Sequence, residues 1–581
     1  MLPSGTAHDR LIPMNQLVLG PLLRHVDQHS ATIWVETEQT GQVTVTAGSH
    51  EASARTFAVH GHHYALVELD GLEKGTKHEY AVAVDGNRVW PSADSAYPPS
   101  LIPTLDHEKP LRLAFGSCRT SVAHDADGNN IHGVDSLRAY ALRMAGSIDG
   151  SHPDDPDPGT EVRWPDLVLF LGDQVYADES TAEMRAFIES RRDIEEEPGA
   201  ELKDYQEYAE LYRLAWSDPG NRWLLSTLPS AMIFDDHDIR DDWNTSQSWK
   251  DEMEATGWWH ERIVSGLASY WVHQHLGNLD PAERATDPLW QEITGHQGPD
   301  EYDASALLDE FADRADQDPQ SYRWSYAREY GEQARLIVLD SRAARVLDPE
   351  HRAMLDDGEL AWLEGHLRGD TEHLLIGSSL PFLLAPGLHY VEAFSEALAG
   401  GSWGRMRAAK LGELVRQTVD LEHWAAFQKD FQKIAKLTLS VARGERGRPP
   451  RTVTFLGGDV HHSYVSEARP TPQEGGPPIN SRIIQAVCSP IRNPLSRVWR
   501  FATAGLAYGV AAPIGHVVAQ SAKVPDAPIY WRLLKGPWFD NNLATWEVTP
   551  AGLRMWWATG VVDDDDHEHP RLVLVAEVIL E

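Results

Sequence analysis

The residues best suited to chemistry lie in four short segments, each closing an apolar run. They are Gly116-Ser117-Cys118-Arg119, Gly172-Asp173 with Tyr176 three residues on, Asp235-Asp236-His237-Asp238, and Gly458-Asp459-Val460-His461-His462. Thiol, phenol, carboxylate and imidazole groups are metal ligands. A carboxylate has two oxygens, so Asp173 can bridge two cations, and Tyr176 can turn back to one of them. Asp173, Asp236 and Asp459 form an oxygen-rich set fit for a hard divalent ion such as calcium or manganese. Singly, each residue has a plainer reading. An Asp after Gly caps a turn, Cys118 is a small buried hydrophobe, and Tyr176 is a core aromatic. His461 or His462 is a satisfied strand-end histidine, and Asp235 to Asp242 an acidic loop. Four such coincidences in succession favour a metal centre, with His462 and Asp238 behind the ligands rather than among them.

The elements that must position these residues are apolar β-type runs ending in polar groups. They read LRLAFGSCR, DLVLFLGDQVYADE, SAMIFDDHDIRDDWN, ARLIVLDSR, HLLIGSSLPFLL and TVTFLGGDVHHSY. Helical stretches such as WWHERIVSGLASYWVHQHL lie between them, so the pattern predicts an α/β layered domain whose strands are buried on both faces. Functional groups then gather beyond the carboxyl ends of the strands. From Leu17 to Val89 the runs are shorter and alternate, which predicts a small antiparallel all-β domain over 15–95. Four prolines without periodicity mark 96–110 as a linker, and 111–581 is the large domain. Its last part, NNLATWEVTPAGLRMWWATG and RLVLVAEVIL, returns to alternating strands around DDDDHEHP. That acidic turn reads as a solvated loop, with cation binding the alternative.

The succession GSC(R), GDxxY, DDHD and GDVHH resembles the alkaline phosphatase D (PhoD-like) branch of the calcineurin-like metallophosphoesterases. The wider superfamily has DxH, GNH and GHxH where this chain has Cys118, Asp235 to Asp238 and Gly458 to His461. GLEKGTKHEYAVAVDG resembles the end of a fibronectin type III-like module, which many PhoD-like proteins carry in front. The resemblance implies a metallophosphoesterase-type β-sandwich flanked by helices, and hydrolysis of phosphate mono- or diesters by a two-metal-activated hydroxide. It implies Fe3+ held by Cys118, Asp173, Tyr176 and His461, and Ca2+ or Mn2+ held by Asp173, Asp236 and Asp459. By the same analogy His237 protonates the leaving alkoxide. Arg119 is a candidate for holding a phosphate oxygen, with a surface salt bridge as the equal alternative, and Asn244 and Arg492 are further candidates. Two departures stand out. Gln174 and Val175 replace a more aromatic or basic pair, and LIGSSLP lacks a histidine, a gap for Ser378, Ser379 or water to fill. The helical insertion from Lys250 to Gln320 and the stretch from Phe382 to Lys436 govern substrate choice.

Composition bounds the rest. The 581 residues exceed one hydrophobic core, and 51 basic against 88 acidic residues give a formal charge of −37. Such a field repels nucleic-acid backbones and argues against a nucleic-acid partner. A phosphate ester is compatible if bound cations invert the local field. Cys118 and Cys488 supply no disulfide framework, and the first thirty residues lack a signal-peptide pattern, which predicts a cytoplasmic chain. FATAGLAYGVAAPIGHVVAQ from Phe501 is span-length, but its glycines, proline and His516 favour a buried or surface-lying helix, with peripheral membrane contact the alternative. Two other functions remain as alternatives: metal-dependent hydrolysis of a non-phosphate ester, and a non-catalytic binding protein on the same fold. No oligomeric state follows from the sequence.

Overall fold

The computed structural model describes residues 16–147, 154–156, 163–399, 422–495, 515, 517 and 519–581. Two sheets stacked face to face carry the large part of the chain. In the first, Arg112–Gly116, Leu167–Leu171 and Ser230–Ile233 run parallel, and Leu543–Thr549, Gly552–Val561 and Arg571–Leu580 extend it antiparallel from Arg112–Gly116. The alternating C-terminal runs therefore complete the sheet that the N-terminal motifs begin. In the second, Ala334–Leu339, His373–Ser378, Thr452–Gly457 and Arg482–Val487 are parallel neighbours, flanked by Tyr326–Tyr330 on one side and Ser463–Pro470 and Ile529–Trp538 on the other.

The sheets bury a common core. Leu113, Phe115, Leu169, Leu171 and Ile233 of the first meet Leu336, Val338, Leu375, Leu456 and Ile484 of the second, with Trp546 and Trp557 filling one end. Helices cover the outer faces, so the parallel strands are buried on both sides and read as continuous apolar runs. Leu374, Ile376, Val453 and Phe455 pack outward against the amphipathic helix Gln428–Arg443. On the other side Val168, Phe170 and Met232 join the core of the helices Ser136–Ala145, Tyr205–Trp216 and Trp259–Tyr270.

The front of the chain is all-β. Leu17–Val26, Ser30–Thr37, His62–Asp70 and Phe57–Val59 form one sheet, and His50–Arg55, Gln42–Ala47, Lys77–Val84 and Asn87–Trp90 the other. Ile33, Val35, Val67, Val43, Val45 and Val82 close the core between them. The proline-rich stretch read as a linker contributes a strand, Leu101–Pro103, antiparallel to Lys77–Val84. Tyr302–Asp303, from the helical insertion, adds to the first front sheet beside Phe57–Val59. The segment from Phe501 lies almost entirely outside the described residues. Among the described residues no helix is long and apolar enough to cross a membrane.

Candidate functional site

The four motifs converge because their strands end side by side. Cys118 and Asp173 follow adjacent parallel strands of the first sheet, Asp235 and Asp236 follow the next, and Asp459 and His461 follow Thr452–Gly457 across the sandwich. Two glycines permit the approach. A Cβ on Gly172 would stand 2.5 Å from the Asp235 Cβ, and one on Gly458 2.5 Å from the Ser117 Cβ. The turns are also strained. Cys118, Asp173, Asp459 and His461 adopt φ values of 58°, 50°, 62° and 49°, a left-handed region that non-glycine residues rarely enter. Four rare backbones among six sequence-picked ligands mark a place where geometry overrides local preference.

Ligand atoms of Cys118, Asp173 and His461 lie within 4.8 Å of one another, and so do those of Asp173, Asp235, Asp236 and Asp459. A third set joins Asp173, Asp236 and His237. Asp173 belongs to all three. Its Oδ2 lies 3.4 Å from the Cys118 Sγ, while its Oδ1 is buried without a hydrogen-bond partner, as is Oδ2 of Asp235. Buried carboxylate oxygens without a donor are costly, and a cation is the partner that fits them. Burial, then Cys118, raises the Asp173 carboxyl well above its usual range. Burial does the same to Asp235, against the pull of Arg342, and lifts Asp236 to about 6. Burial pushes the Cys118 thiol up to about 12 and brings His461 down to about 4, which leaves its imidazole neutral, the form that ligates. Burial also raises the Tyr176 phenol well above its usual value, and Cys118 and Asp173 add to it, with Asn493 opposing.

His237 lies with its ring centroid 4.8 Å from that of Tyr176. Its Nδ1 is 3.0 Å from both Asp178 carboxylate oxygens, which sets the ring's orientation. Burial opposes its charge, but Asp178 and Asp236 outweigh it and raise the pKa well above the usual value. Asp238 does not face the cluster as a ligand would: its Oδ2 accepts the N–H groups of Asp173 at 3.0 Å and Asp235 at 2.9 Å, joining two of the turns. His462 points elsewhere, with Nδ1 2.6 Å from the Val460 carbonyl and its ring on Tyr464.

The structure does not bring Arg119 to the cluster as a phosphate clamp. Its Nε and Nη2 donate to Asp135 Oδ2 at 3.0 and 2.8 Å and its Nη1 to the Ala215 carbonyl at 2.8 Å, all in the interior. Only its backbone touches the site, through N–H to the Asp173 carbonyl at 2.9 Å. Arg492 is likewise engaged by the carbonyls of Val122, Ala123 and Gly133. Asn244 donates to the Arg342 carbonyl at 3.3 Å. Ser378 and Ser379 bond to Ser341 at 3.2 and 2.8 Å.

Sequence reasoning missed two cationic side chains. Arg342 is fully buried and its guanidinium binds Asp235, Asp236 and Glu422. It ends ARLIVLDSR, so the strand-end rule that found the other motifs pointed to it. His423 lies between the buried Glu392 and the partly buried Asp459, Nδ1 2.8 Å from the first and Nε2 2.9 Å from the second. It closes no apolar strand run, so the strand-end rule does not mark it. Ser489 was also missed. It accepts the His461 N–H at 3.1 Å and lies 3.3 Å from Cys118 Sγ.

A two-sheet sandwich with acids, a thiol and imidazoles gathered at its strand ends is a build suited to metal-dependent hydrolysis. Residues 160–497 match the family model of the PhoD-like phosphatases, more than half of the chain, and the chain belongs to that family. Membership supports a metal-dependent phosphoesterase acting on a small phosphoester. Residues 14–102 match a second family model, described as a domain of unknown function. The solved structure of PhoD shares the fold, with a TM-score of 0.55 at 14% identity over 99% of this chain and 91% of that one. The maltogenic amylase of S. marinus (8% identity, 99% of this chain and 82% of that one) reaches a TM-score of only 0.15, which bears on nothing. No curated protein sequence matches the chain.

Proposed function

We propose that this chain hydrolyses phosphate mono- or diesters at two cations held by the strand-end cluster. The reading rests on Asp173, which stands in all three ligand sets among the described residues, with a buried, unpartnered oxygen and with its own carboxyl and those of Asp235 and Asp236 raised. Cys118, Asp173, Tyr176 and His461 would hold one ion, for which the thiol and phenol suit Fe3+. Asp173, Asp236 and Asp459, with Asp235 beside them, would hold the other, for which an oxygen-rich set suits Ca2+ or Mn2+. When bound, such ions neutralise the phosphate and supply an activated water. His237 then hands a proton to the departing oxygen, its ring steered by Asp178. Arg342 keeps Asp235 and Asp236 in register, and His423 does so for Asp459. The same reading divides the chain into a front all-β domain at 15–95, resembling a fibronectin type III module, a connection at 96–110 and a catalytic domain at 111–581.

The test is turnover of matched phosphate monoesters, phosphate diesters and carboxylate esters by the full chain, before and after chelation and metal return. Hydrolysis confined to phosphate esters and restored by metal is the expected result. Preferential hydrolysis of carboxylate esters would transfer the site to the non-phosphate reading, and no turnover of any ester to the non-catalytic one.

A further inference from the structure

The front β module docks a buried arginine on a turn that lies behind the cluster. Arg24, on Leu17–Val26, is fully buried. Its guanidinium donates to the carbonyls of His273 at 2.7 Å and Gln274 at 2.6 Å, to Asn278 Oδ1 at 3.2 Å and to the Ser230 carbonyl at 3.3 Å. His273 and Gln274 belong to a π-helical turn, Trp271–His275, that follows the helix Trp259–Tyr270, and the Leu276 N–H reaches back to the Trp271 carbonyl at 2.9 Å. Carbonyls at a helix end lack a following amide, and a cation there also meets the negative end of the helix dipole. Gly277 makes room: a Cβ at that position would stand 2.5 Å from the Arg24 Cζ.

From the same turn the Gln274 side chain runs to the cluster. Its Nε2 donates to Asp238 Oδ1 at 3.1 Å and to the Tyr212 hydroxyl at 2.9 Å. The second Asp238 oxygen accepts the N–H groups of Asp173 and Asp235. Asp173 is one of the residues held in the left-handed region, a conformation that persists only where its surroundings enforce it. Single-turn π bulges recur at functional sites, and here the bulge serves two partners, Arg24 through its carbonyls and Asp238 through the Gln274 side chain.

We propose that the front module is a positioning element of the metal cluster. It acts through Arg24, the π turn, Gln274 and Asp238 on the backbone amides of Asp173 and Asp235. The proposal rests on the two-cation reading above and assigns a role to a region whose matching family model carries none. A front module that merely adhered to the large domain would affect stability and leave cation affinity alone.

The experiment uses the full chain and Mn2+ as probe, in competition with a chelator, for wild type, Gln274→Leu, Gly277→Ala and the double variant. Gln274→Leu removes the bond to Asp238, and Gly277→Ala displaces Arg24 from the turn. Each single variant is expected to bind Mn2+ about 10–100-fold more weakly, the scale of lost support behind metal ligands. The double variant should bind no worse than the weaker single, because both break one chain of contacts. If Gly277→Ala does not fold, Arg24→Lys, which keeps the charge and loses the fork, takes its place in the cycle. Wild-type affinity in the single variants, or losses that multiply in the double, would overturn the relay. A wild-type chain that takes up no Mn2+ would overturn the two-cation reading and the relay with it, and that arm alone tells the two failures apart.

Discussion

Two buried networks built on acids, one on Asp135 alone and one on the strand-end cluster, meet at the Cys118–Arg119 corner, and they are balanced in opposite ways. On one side Asp135 accepts from Arg119 twice, from Asn221 at 3.2 Å and from the Leu137 N–H at 2.9 Å. Burial works against its charge, but Arg119, His124 and Arg492 hold it well below the ordinary carboxylate range. On the other side burial lifts Asp173 and Asp235 well above that range, and Arg342 does not bring Asp235 back. Asp459 is the exception in that set, held below its usual range against burial by His423 and Arg342. Asp135 thus belongs to a completed network, while the acids Asp173 and Asp235 lack such compensation. The first is framework that fixes the corner. The second is where, on the proposed reading, a cation would complete the balance, and adjacent residues, Cys118 and Arg119, serve opposite sides.

Asp173 is the residue on which the cation-short side depends most. Asp173→Asn is expected to lose both cations and nearly all turnover, since that residue stands in every ligand set. Asp236→Asn keeps one oxygen ligand and should be milder, so equal metal loss in the two variants would contradict the bridge. His237→Ala should retain metal while kcat falls about 10²–10⁴-fold, the scale of general acid catalysis. The deficit should be large for an alkyl phosphate and small for an activated aryl ester. A metal-free His237→Ala would make His237 a ligand, which its distance from Asp173 and Asp236 permits.

On the framework side, Arg119→Ala should destabilise the fold by about 3–5 kcal/mol, because it leaves Asp135 buried and under-compensated. Denaturant unfolding of Arg119→Ala, Asp135→Ala and the double variant measures this, and the double should recover part of the loss. A raised KM with unchanged stability would return Arg119 to the substrate. His423→Gln should weaken metal retention about 10–100-fold by loosening Asp459, with kcat at saturating metal little changed. The smallest effect is in pH. Protons and cations compete for the same oxygens, so metal affinity should fall as pH drops through about 6, where Asp236 gains its proton. Competition titrations from pH 5 to 8 should show this slope flattened in Asp236→Asn.

The parallel strands were legible because burial on both faces leaves unbroken apolar runs, and the ligand candidates were legible because they close those runs. The C-terminal strands were legible as strands, but their place beside Arg112–Gly116 was not, since pairing across more than four hundred residues leaves no local pattern. Arg119 misled because adjacency to Cys118 in sequence says nothing of the direction of a long side chain, and Asp135 captured it. Arg342 was within reach of the same strand-end rule. His423 and Gln274 were not, because their roles exist only through partners brought close by the fold, Asp459 and Asp238.

If the cluster holds two cations and phosphoester hydrolysis depends on them, metal content and turnover must fall and return together. Elemental analysis of the purified chain, paired with turnover of a phosphate ester before and after chelation, measures both. Two metal equivalents per chain are expected, with loss of turnover when they are removed and recovery when they return. Full phosphoesterase activity in a chain carrying no metal would rule the two-cation site out.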